Sequence, residues 1–122
     1  MPNAARAAAD TYRESVNKKD LALLRTIFAP DVELVVPTMA MDLKNPDGVF
    51  RGIDAAMEFF ETTSFPAQAI LTYTHVYETD DSCIVELQGK LGGGNTVEAL
   101  DIFTTGPDGL VTRMAVYARI AS

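Results

Sequence analysis

The stretch TVEALDIFTT, residues 96–105, is followed by the tripeptide Pro107-Asp108-Gly109 and by LVTRMAVYARI, residues 110–120. Apolar and β-branched residues fill both segments, and the Pro-Asp-Gly between them is typical of a tight turn, so we predict two antiparallel strands. Asp101 lies inside the first strand, where burial would remove its hydration and raise its pKa unless a cation or hydrogen-bond donors hold the ionised form. A carboxyl group in that position indicates a pocket with a chemical task.

Two further strands are predicted before this hairpin. Residues 69–78 and 83–91 have the composition of strands, and the turn between them is expected at Asp80-Asp81-Ser82. The run Gly92-Gly93-Gly94 lies between two β segments with no helix after it, so it predicts a wide hairpin turn rather than a phosphate-binding loop. The chain from residue 68 onward is therefore expected to be an antiparallel meander.

The N-terminal half shows the periodicity of helices. Asn3 is expected to cap a first helix that runs to about Asn17. Asp20 is expected to cap a second helix that Pro30 ends, and Asp54 to cap a third. The helix faces that we predict to be buried carry Ala5, Ala9, Tyr12 and Val16 in the first helix and Leu24, Ile27 and Phe28 in the second.

A first strand over residues 32–36, closed by Pro37, and a long loop over residues 38–52 separate the second helix from the third. Loops of that length often act as lids or binding segments. Helices followed by a long meander predict the α+β class, in which helices cover one face of a bent sheet. The other face also carries apolar residues, and we expect it to contact a second copy of the chain.

Size, charge and cysteine content restrict the class of protein. A chain of 122 residues is expected to form one domain over residues 1–122. The formal net charge of −7 argues against nucleic-acid or membrane partners. The start of the chain has no signal-peptide core, and the single cysteine, Cys83, favours a reducing cytoplasm. One Cys and one His exclude a Cys/His zinc site, and we expect neither a metal nor a cofactor.

Four motifs resemble those of the NTF2-like superfamily, in its SnoaL-like and ketosteroid-isomerase-like branch. They are Tyr12 to Asp20 (Tyr-x-x-x-x-Asn-x-x-Asp), Ile27-Phe28-Ala29-Pro30-Asp31-Val32, Phe50-Arg51-Gly52-Ile53-Asp54-Ala55, and Leu100-Asp101-Ile102-Phe103 with Asp108 to Met114. The resemblance implies a cone-shaped barrel in which three N-terminal helices pack on a curved mixed, mainly antiparallel sheet. It also implies an apolar pocket between sheet and helices, and a homodimer formed through the outer face of the sheet.

The resemblance assigns roles to individual positions. Tyr12 matches the tyrosine of the first helix in ketosteroid isomerases, and Asp101 matches the aspartic acid that is kept protonated in their oxyanion hole. The proton-shuttling base of those enzymes falls on Val36, which cannot accept a proton. Asp42 in the following loop is a possible substitute base, although an exposed loop aspartate is the commoner explanation.

Two other branches of the superfamily are less well matched. In the limonene-epoxide-hydrolase branch the central aspartate would again be Asp101, but its arginine falls on Ala99 and its second aspartate falls near Val116. Cyclases of the SnoaL type use a carboxylate base in the pocket and little else, so Asp101 alone would serve. That pattern is too sparse to be distinctive.

The candidate catalytic residues are therefore Asp101 and Tyr12. The candidate ligand-binding residues are Val36, Phe59, Phe60, Ala99, Phe103, Met114 and Val116. The alternative for the catalytic pair is a structural hydrogen bond, or an Asp101 that faces outward. His75 is expected on the outer face of the sheet with Tyr73 and Tyr77, because alternate residues of a strand share a face.

Two functions are compatible with this site. The first is a cofactor-free isomerase, cyclase or related lyase that acts on a small hydrophobic carbonyl compound by acid/base catalysis. The alternative is a non-catalytic protein that binds a small hydrophobic ligand on the same scaffold. The apolar residues Val36 and Val116, at positions where related enzymes carry carboxylates, favour the alternative.

Overall fold

The computed structural model describes residues 3–37 and 47–121. Within these ranges the chain forms the helices α1 (Ala4–Lys18), α2 (Leu21–Arg25) and α3 (Ile53–Phe59) and the strands β1 (Phe28–Val35), β2 (Val49–Arg51), β3 (Ile70–Glu78), β4 (Ser82–Lys90), β5 (Thr96–Thr105) and β6 (Val111–Ala121). A π-helical turn (Phe60–Ser64) and a 3-10 turn (Phe65–Ala67) connect α3 to β3. None of these helices has the length and the apolar character that a membrane span requires.

The six strands form one sheet in the order β2-β1-β6-β5-β4-β3. Strands β1 and β6 are parallel, and the other neighbours are antiparallel. The predicted α+β class with a mixed, mainly antiparallel sheet is confirmed. The sheet does not close, because β2 and β3 are its two edges, so the expected cone-shaped barrel is an open sheet with helices against one face.

Helix α1 begins and ends as its sequence predicts. The Asn3 side chain accepts a hydrogen bond from the backbone N–H of Arg6 at 2.8 Å, which satisfies one of the free donors of the first turn. Lys19 ends the helix in the left-handed conformation, with φ 58°. The buried face contains the residues predicted for it, Ala5, Ala9, Tyr12 and Val16.

Polar contacts fix α1 against β3 and so set the position of Tyr12. The Asn17 side chain accepts a hydrogen bond from the Leu71 N–H at 2.7 Å and donates one to the Leu71 carbonyl at 3.2 Å. Closer to the N-terminus of α1, the Ala9 carbonyl accepts a hydrogen bond from the Tyr73 hydroxyl at 2.5 Å. The Arg13 guanidinium lies 4.6 Å from the centre of the Tyr73 ring. Helix α1 is thus hydrogen-bonded to β3 at two positions along the strand, Leu71 and Tyr73.

The second helix is shorter than predicted. It ends at Arg25, and Phe28 begins β1, which contains Pro30. Phe28 pairs with Val111 of β6, and the β1–β6 register then shifts before Glu33. A proline is tolerated at such an irregularity because no ladder hydrogen bond is required of it. The pairing of β1 with β6 therefore overrides the helical pattern of the sequence.

The predicted loop over residues 38–52 contains part of the sheet. Its last residues form β2, in which Phe50 pairs with Leu34 of β1. Residues 38–46, which include Met39, Met41 and Asp42, lie outside the described residues. Most of the loop that was predicted to act as a lid or binding segment is therefore outside them as well. The prediction that Asp54 caps α3 is wrong, because Gly52 with φ 91° is the cap residue. Asp54 instead forms an ion pair with Arg25 at 2.9 Å.

The meander is confirmed, but β3 contains an irregularity that the sequence did not predict. The register with β4 shifts between Tyr73 and His75, so the strand bulges at Thr74. Tyr73 therefore points to the helices, whereas His75 pairs with the partly exposed Glu86 on the other face. The prediction that Tyr73 and His75 share a face is wrong for that reason.

Candidate functional site

A cavity of about 300 Å³ lies between the sheet and the helices. Seventeen described residues line it: Tyr12, Val36, Phe59, Phe60, Thr63, Ser64, Ala67, Ala69, Leu71, Leu87, Gly89, Leu91, Val97, Ala99, Asp101, Val116 and Ala118. Its size is at the lower end of the range for small-molecule sites. No Lys, Arg or His occurs among these lining residues, so the described wall supplies no cation.

Asp101 is the one carboxyl group in the described wall of this cavity. Strand β5 places it between Val85 of β4 and Val116 of β6. Its relative exposure is 2%, and Oδ1 has no hydrogen-bond partner in the described part of the chain. Burial among apolar neighbours raises the pKa of the Asp101 carboxyl to about 7, because the ionised form loses its hydration without gaining a partner. The alternative in which Asp101 faces outward is therefore wrong.

Tyr12 lines the same cavity from α1. Its ring packs edge-on against Phe103 at 5.4 Å and against Phe60 at 5.9 Å between ring centroids. Burial raises the pKa of the Tyr12 hydroxyl well above its ordinary value, and the nearby Asp101 raises it further. The phenol is therefore a hydrogen-bond donor at every physiological pH. No hydrogen bond joins Tyr12 to Asp101 within the described residues, so both groups are available to a ligand.

The positions at which related enzymes carry further charged residues face the cavity and are apolar here. Val36, which the resemblance matches to the ketosteroid-isomerase base, is 4% exposed and lines the wall. Ala99, which the resemblance matches to the arginine of the epoxide hydrolases, and Val116, near which it places their second aspartate, lie beside Asp101 on β5 and β6. The described site therefore has one carboxyl group, that of Asp101, and one phenol, that of Tyr12. Its described lining contains no second carboxylate that could accept a proton.

The remaining predicted ligand-binding residues divide into two groups. Phe59 and Phe60 line the cavity. Phe103 and Met114, which pair with each other across β5 and β6, are completely buried and do not reach the wall. Phe103 instead packs edge-on against the ring of Tyr12, which does line the cavity.

Sequence reasoning missed the wall formed by the chain between α3 and β3. Phe60 and Phe65 are both buried, although residues five apart on an α-helix would lie about 140° apart at about 100° per residue. A π-type hydrogen bond from the Phe65 N–H to the Phe60 carbonyl widens the turn and brings the two rings within 6.4 Å. The same turn brings Thr63 and Ser64 to the cavity. The sequence signal that could have indicated this turn is the pair of aromatic residues Phe60 and Phe65, spaced five residues apart.

Other titratable groups lie away from the cavity. His75 is on the outer face, 3.5 Å from Glu86. Arg119 pairs with Glu98 at 2.8 Å on that face, and Arg113 is exposed. Burial raises the pKa of the Cys83 thiol to about 11, which makes it a poor nucleophile. Across residues 3–37 and 47–121, no group of three or more His, Cys, Asp or Glu is placed to hold a metal ion.

The sequence profile of the SnoaL-like domain matches residues 9–114, which is most of the chain. The chain belongs to the SnoaL-like domain family. The resemblance read from the four motifs is thereby confirmed. No curated protein sequence matches this SnoaL-like chain significantly.

Solved structures of NTF2-like proteins share the fold. RV0760c from Mycobacterium tuberculosis, solved in complex with estradiol-17β-hemisuccinate, has a TM-score of 0.80 at 21% identity, over 99% of this chain and 100% of its own. A computationally designed 17-OHP binder has a TM-score of 0.80 at 18% identity, over 100% and 99% of the two chains. The Δ5-3-ketosteroid isomerase from Mycobacterium sp. has a TM-score of 0.74 at 20% identity, over 98% and 100%. Identities this low establish the common fold alone.

Proposed function

We propose that this SnoaL-like protein is a cofactor-free isomerase, cyclase or related lyase that acts on a small hydrophobic carbonyl compound of steroid-, polyketide- or terpenoid-like character. The observation that carries the proposal is the Asp101 carboxyl, 2% exposed and without a cation, in the wall of an apolar cavity that also presents the Tyr12 hydroxyl. A proton-transfer group works best when its pKa is close to the working pH, and burial places the pKa of Asp101 at about 7.

One carboxyl group and one phenol suit a one-base mechanism. The Tyr12 hydroxyl donates a hydrogen bond to the carbonyl oxygen of the substrate and stabilises negative charge as it develops there. The ionised Asp101 carboxylate removes a proton from the carbon next to the carbonyl, which leaves an enolate. In an isomerase Asp101 returns that proton to a different carbon. In a cyclase or lyase the enolate carbon instead forms a bond to an electrophile, or arises as such a bond breaks.

The solved relatives support the ligand class. A steroid derivative is bound to RV0760c, and the designed protein binds 17-OHP. The Mycobacterium isomerase acts on a ketosteroid. Each of these molecules has an apolar skeleton with few polar groups. Such a molecule is complementary to a cavity in which most described lining residues are aliphatic or aromatic.

Turnover of a panel of 3-oxosteroids, polyketide fragments and terpenoid ketones tests this proposal. Once a substrate is found, Asp101→Asn should reduce kcat by about 10²–10⁴-fold, because the amide keeps the shape but cannot accept the proton. Wild-type kcat should rise with pH through about 7, as the carboxylate forms. A matched control is Asp31→Asn, which removes an exposed carboxylate of β1 and should not change kcat. Unchanged turnover in Asp101→Asn would remove Asp101 from the mechanism.

The second candidate is a carrier or sensor that binds the same class of ligand without converting it. Val36 and Val116 favour it, because they are apolar at positions where related enzymes carry carboxylates and so leave the site with one carboxyl group. In a carrier the protonated Asp101 would donate a hydrogen bond to the ligand carbonyl. Ligand affinity would then fall as pH rises above about 7, and product analysis would find unchanged ligand. An enzyme instead shows turnover that rises over the same range.

We also propose that the protein forms a homodimer through the outer face of the sheet. Three exposed large apolar residues of the outer face support this, since solvent exposure of such side chains is unfavourable in a monomer: Ile70, Tyr77 and Tyr117. Light scattering should give twice the mass of one chain, and Tyr117→Lys, which places a charge on the outer face, should give the monomer mass. A monomeric wild-type protein would contradict the proposal. A cytoplasmic location stays a prediction from the sequence.

A further inference from the structure

The cavity extends along the strands away from Asp101. On β5 the residues Asp101, Ala99 and Val97 alternate with outward-facing residues, and all three line the cavity. The distance from the first to the third is about 13 Å at about 3.3 Å per residue. Gly89 of β4 pairs with Val97 and lines the same end. The carboxyl group is therefore at one end of an elongated space.

The π and 3-10 turns form the opposite wall and extend in the same direction. At the carboxyl end, the Phe60 ring lies 5.9 Å from the ring of Tyr12. At the other end, the Ala67 carbonyl accepts a hydrogen bond at 3.0 Å from the N–H of Gly92, which follows β4. The residues between Phe60 and Ala67 are therefore spread along the length of the cavity.

Two residues with hydroxyl side chains line this wall. Thr63 and Ser64 are, with Tyr12 and Asp101, the polar side chains among the described lining residues. Ser64 is half-buried and Thr63 is exposed, and the Ser64 hydroxyl makes no hydrogen bond within the described residues. The Thr63 hydroxyl has one weak contact, at 3.4 Å from the hydroxyl of Thr62. Both groups therefore have hydrogen-bonding capacity left for a ligand.

We infer that Thr63 and Ser64 form a second polar subsite, which selects ligands that carry a neutral hydroxyl or ketone group remote from the carbonyl held by Asp101 and Tyr12. The inference rests on the proposed function, whose substrate class it narrows. A hydroxyl side chain can donate to a ketone and can accept from a hydroxyl. An anionic group is disfavoured, because the described wall has no cation and the chain carries a net charge of −7.

A pair of ligands that differ in one hydroxyl group tests the subsite. The probes are a 4-ene-3-oxosteroid with a 17β-hydroxyl and the same steroid without it, titrated calorimetrically at pH 6. Wild-type protein should bind the hydroxylated steroid about 2- to 12-fold more tightly, the gain expected from one net hydrogen bond. In Ser64→Ala, and further in the double variant with Thr63→Ala, this preference should disappear while the affinity for the other steroid is kept.

The control is Thr62→Ala, which removes a hydroxyl from the same turn at a residue outside the lining and should keep the wild-type preference. An equal preference in wild type and the double variant would overturn the subsite, as would a failure of both steroids to bind wild-type protein. The proposed function is tested separately, by the turnover of Asp101→Asn. The two predictions, loss of the hydroxyl preference in the double variant and loss of turnover in Asp101→Asn, can therefore be contradicted independently of each other.

Discussion

Replacement of Asp101 by Asn should change the pH dependence of folding stability. The native state holds the Asp101 proton up to about pH 7, whereas the carboxyl of an unfolded chain releases it near 3.8. The native state therefore binds more protons between these values, and the unfolding free energy falls as pH rises through that window. The stabilisation is complete below about pH 4 and lost above about pH 7. Asn carries no proton that titrates, so the variant lacks this contribution.

The size of the effect follows from the two pKa values. The difference between about 7 and the ordinary 3.8 corresponds to about 4 kcal/mol, at about 1.4 kcal/mol per pKa unit. The carboxyl is buried and has no cation near it, so solvent screening does not reduce this figure. Any packing cost of the amide is the same at every pH. It cancels when the difference between wild type and variant is compared across the pH range.

The assay is urea unfolding of wild type and Asp101→Asn at a series of pH values from 4 to 8. The stability of the variant relative to wild type should increase by about 4 kcal/mol over that series. Asp31→Asn is the control, since its carboxylate is exposed, and its relative stability should change by less than about 0.5 kcal/mol. A constant difference between wild type and Asp101→Asn would refute the reasoning, because Asp101 would then be solvated or paired with a cation.

Three further changes have defined outcomes. Ala118→Phe should fill the cavity and weaken steroid binding by at least 10-fold by calorimetry, while unfolding shows a native-like protein; undiminished affinity would mean that ligands bind elsewhere. Val36→Asp should add the missing second carboxylate and raise 3-oxosteroid isomerisation, followed by the absorbance of the conjugated enone; a rate equal to that of wild type would contradict the assignment of that position. Asn17→Ala should lower the unfolding free energy by about 1–3 kcal/mol, because the Leu71 N–H and carbonyl lose their partner, and an unchanged urea midpoint would contradict that role.

The features that follow from local chemistry were predictable from the sequence. The Asn3 cap, the buried face of α1 and the exact extent of β5 depend on residues close together in the chain. The burial of Asp101 was predictable for a related reason, because its neighbours in β5 are apolar on both sides. The family motifs then predicted that Asp101 and Tyr12 belong to one site, and both residues line the cavity.

The features that depend on distant parts of the chain were not predictable. The start of β1 at Phe28 depends on pairing with Val111, more than eighty residues later in the chain, and this pairing overrides a helical pattern. The bulge at Thr74 shifts every later residue of β3 to the other face, and a strict alternation cannot show such a shift.

The outer end of the cavity was unpredictable for the same reason. Thr63 and Ser64 reach it because a π turn changes the direction of the chain after Phe60. That turn is stabilised by the packing of Phe65 against Phe60, which an α-helical reading does not anticipate. Phe103 and Met114 were predicted to bind ligand, but both are completely buried and do not line the cavity. The edge-on packing of Phe103 against Tyr12 is a tertiary feature.

The most direct measurement is the pH titration of the Asp101 carboxyl carbon by NMR, with Asp101→Asn used to assign the signal. A midpoint close to pH 7 is predicted, since the cavity offers the anion neither water nor a cation. A midpoint near 4 would contradict the account, and with it the acid/base role of this residue.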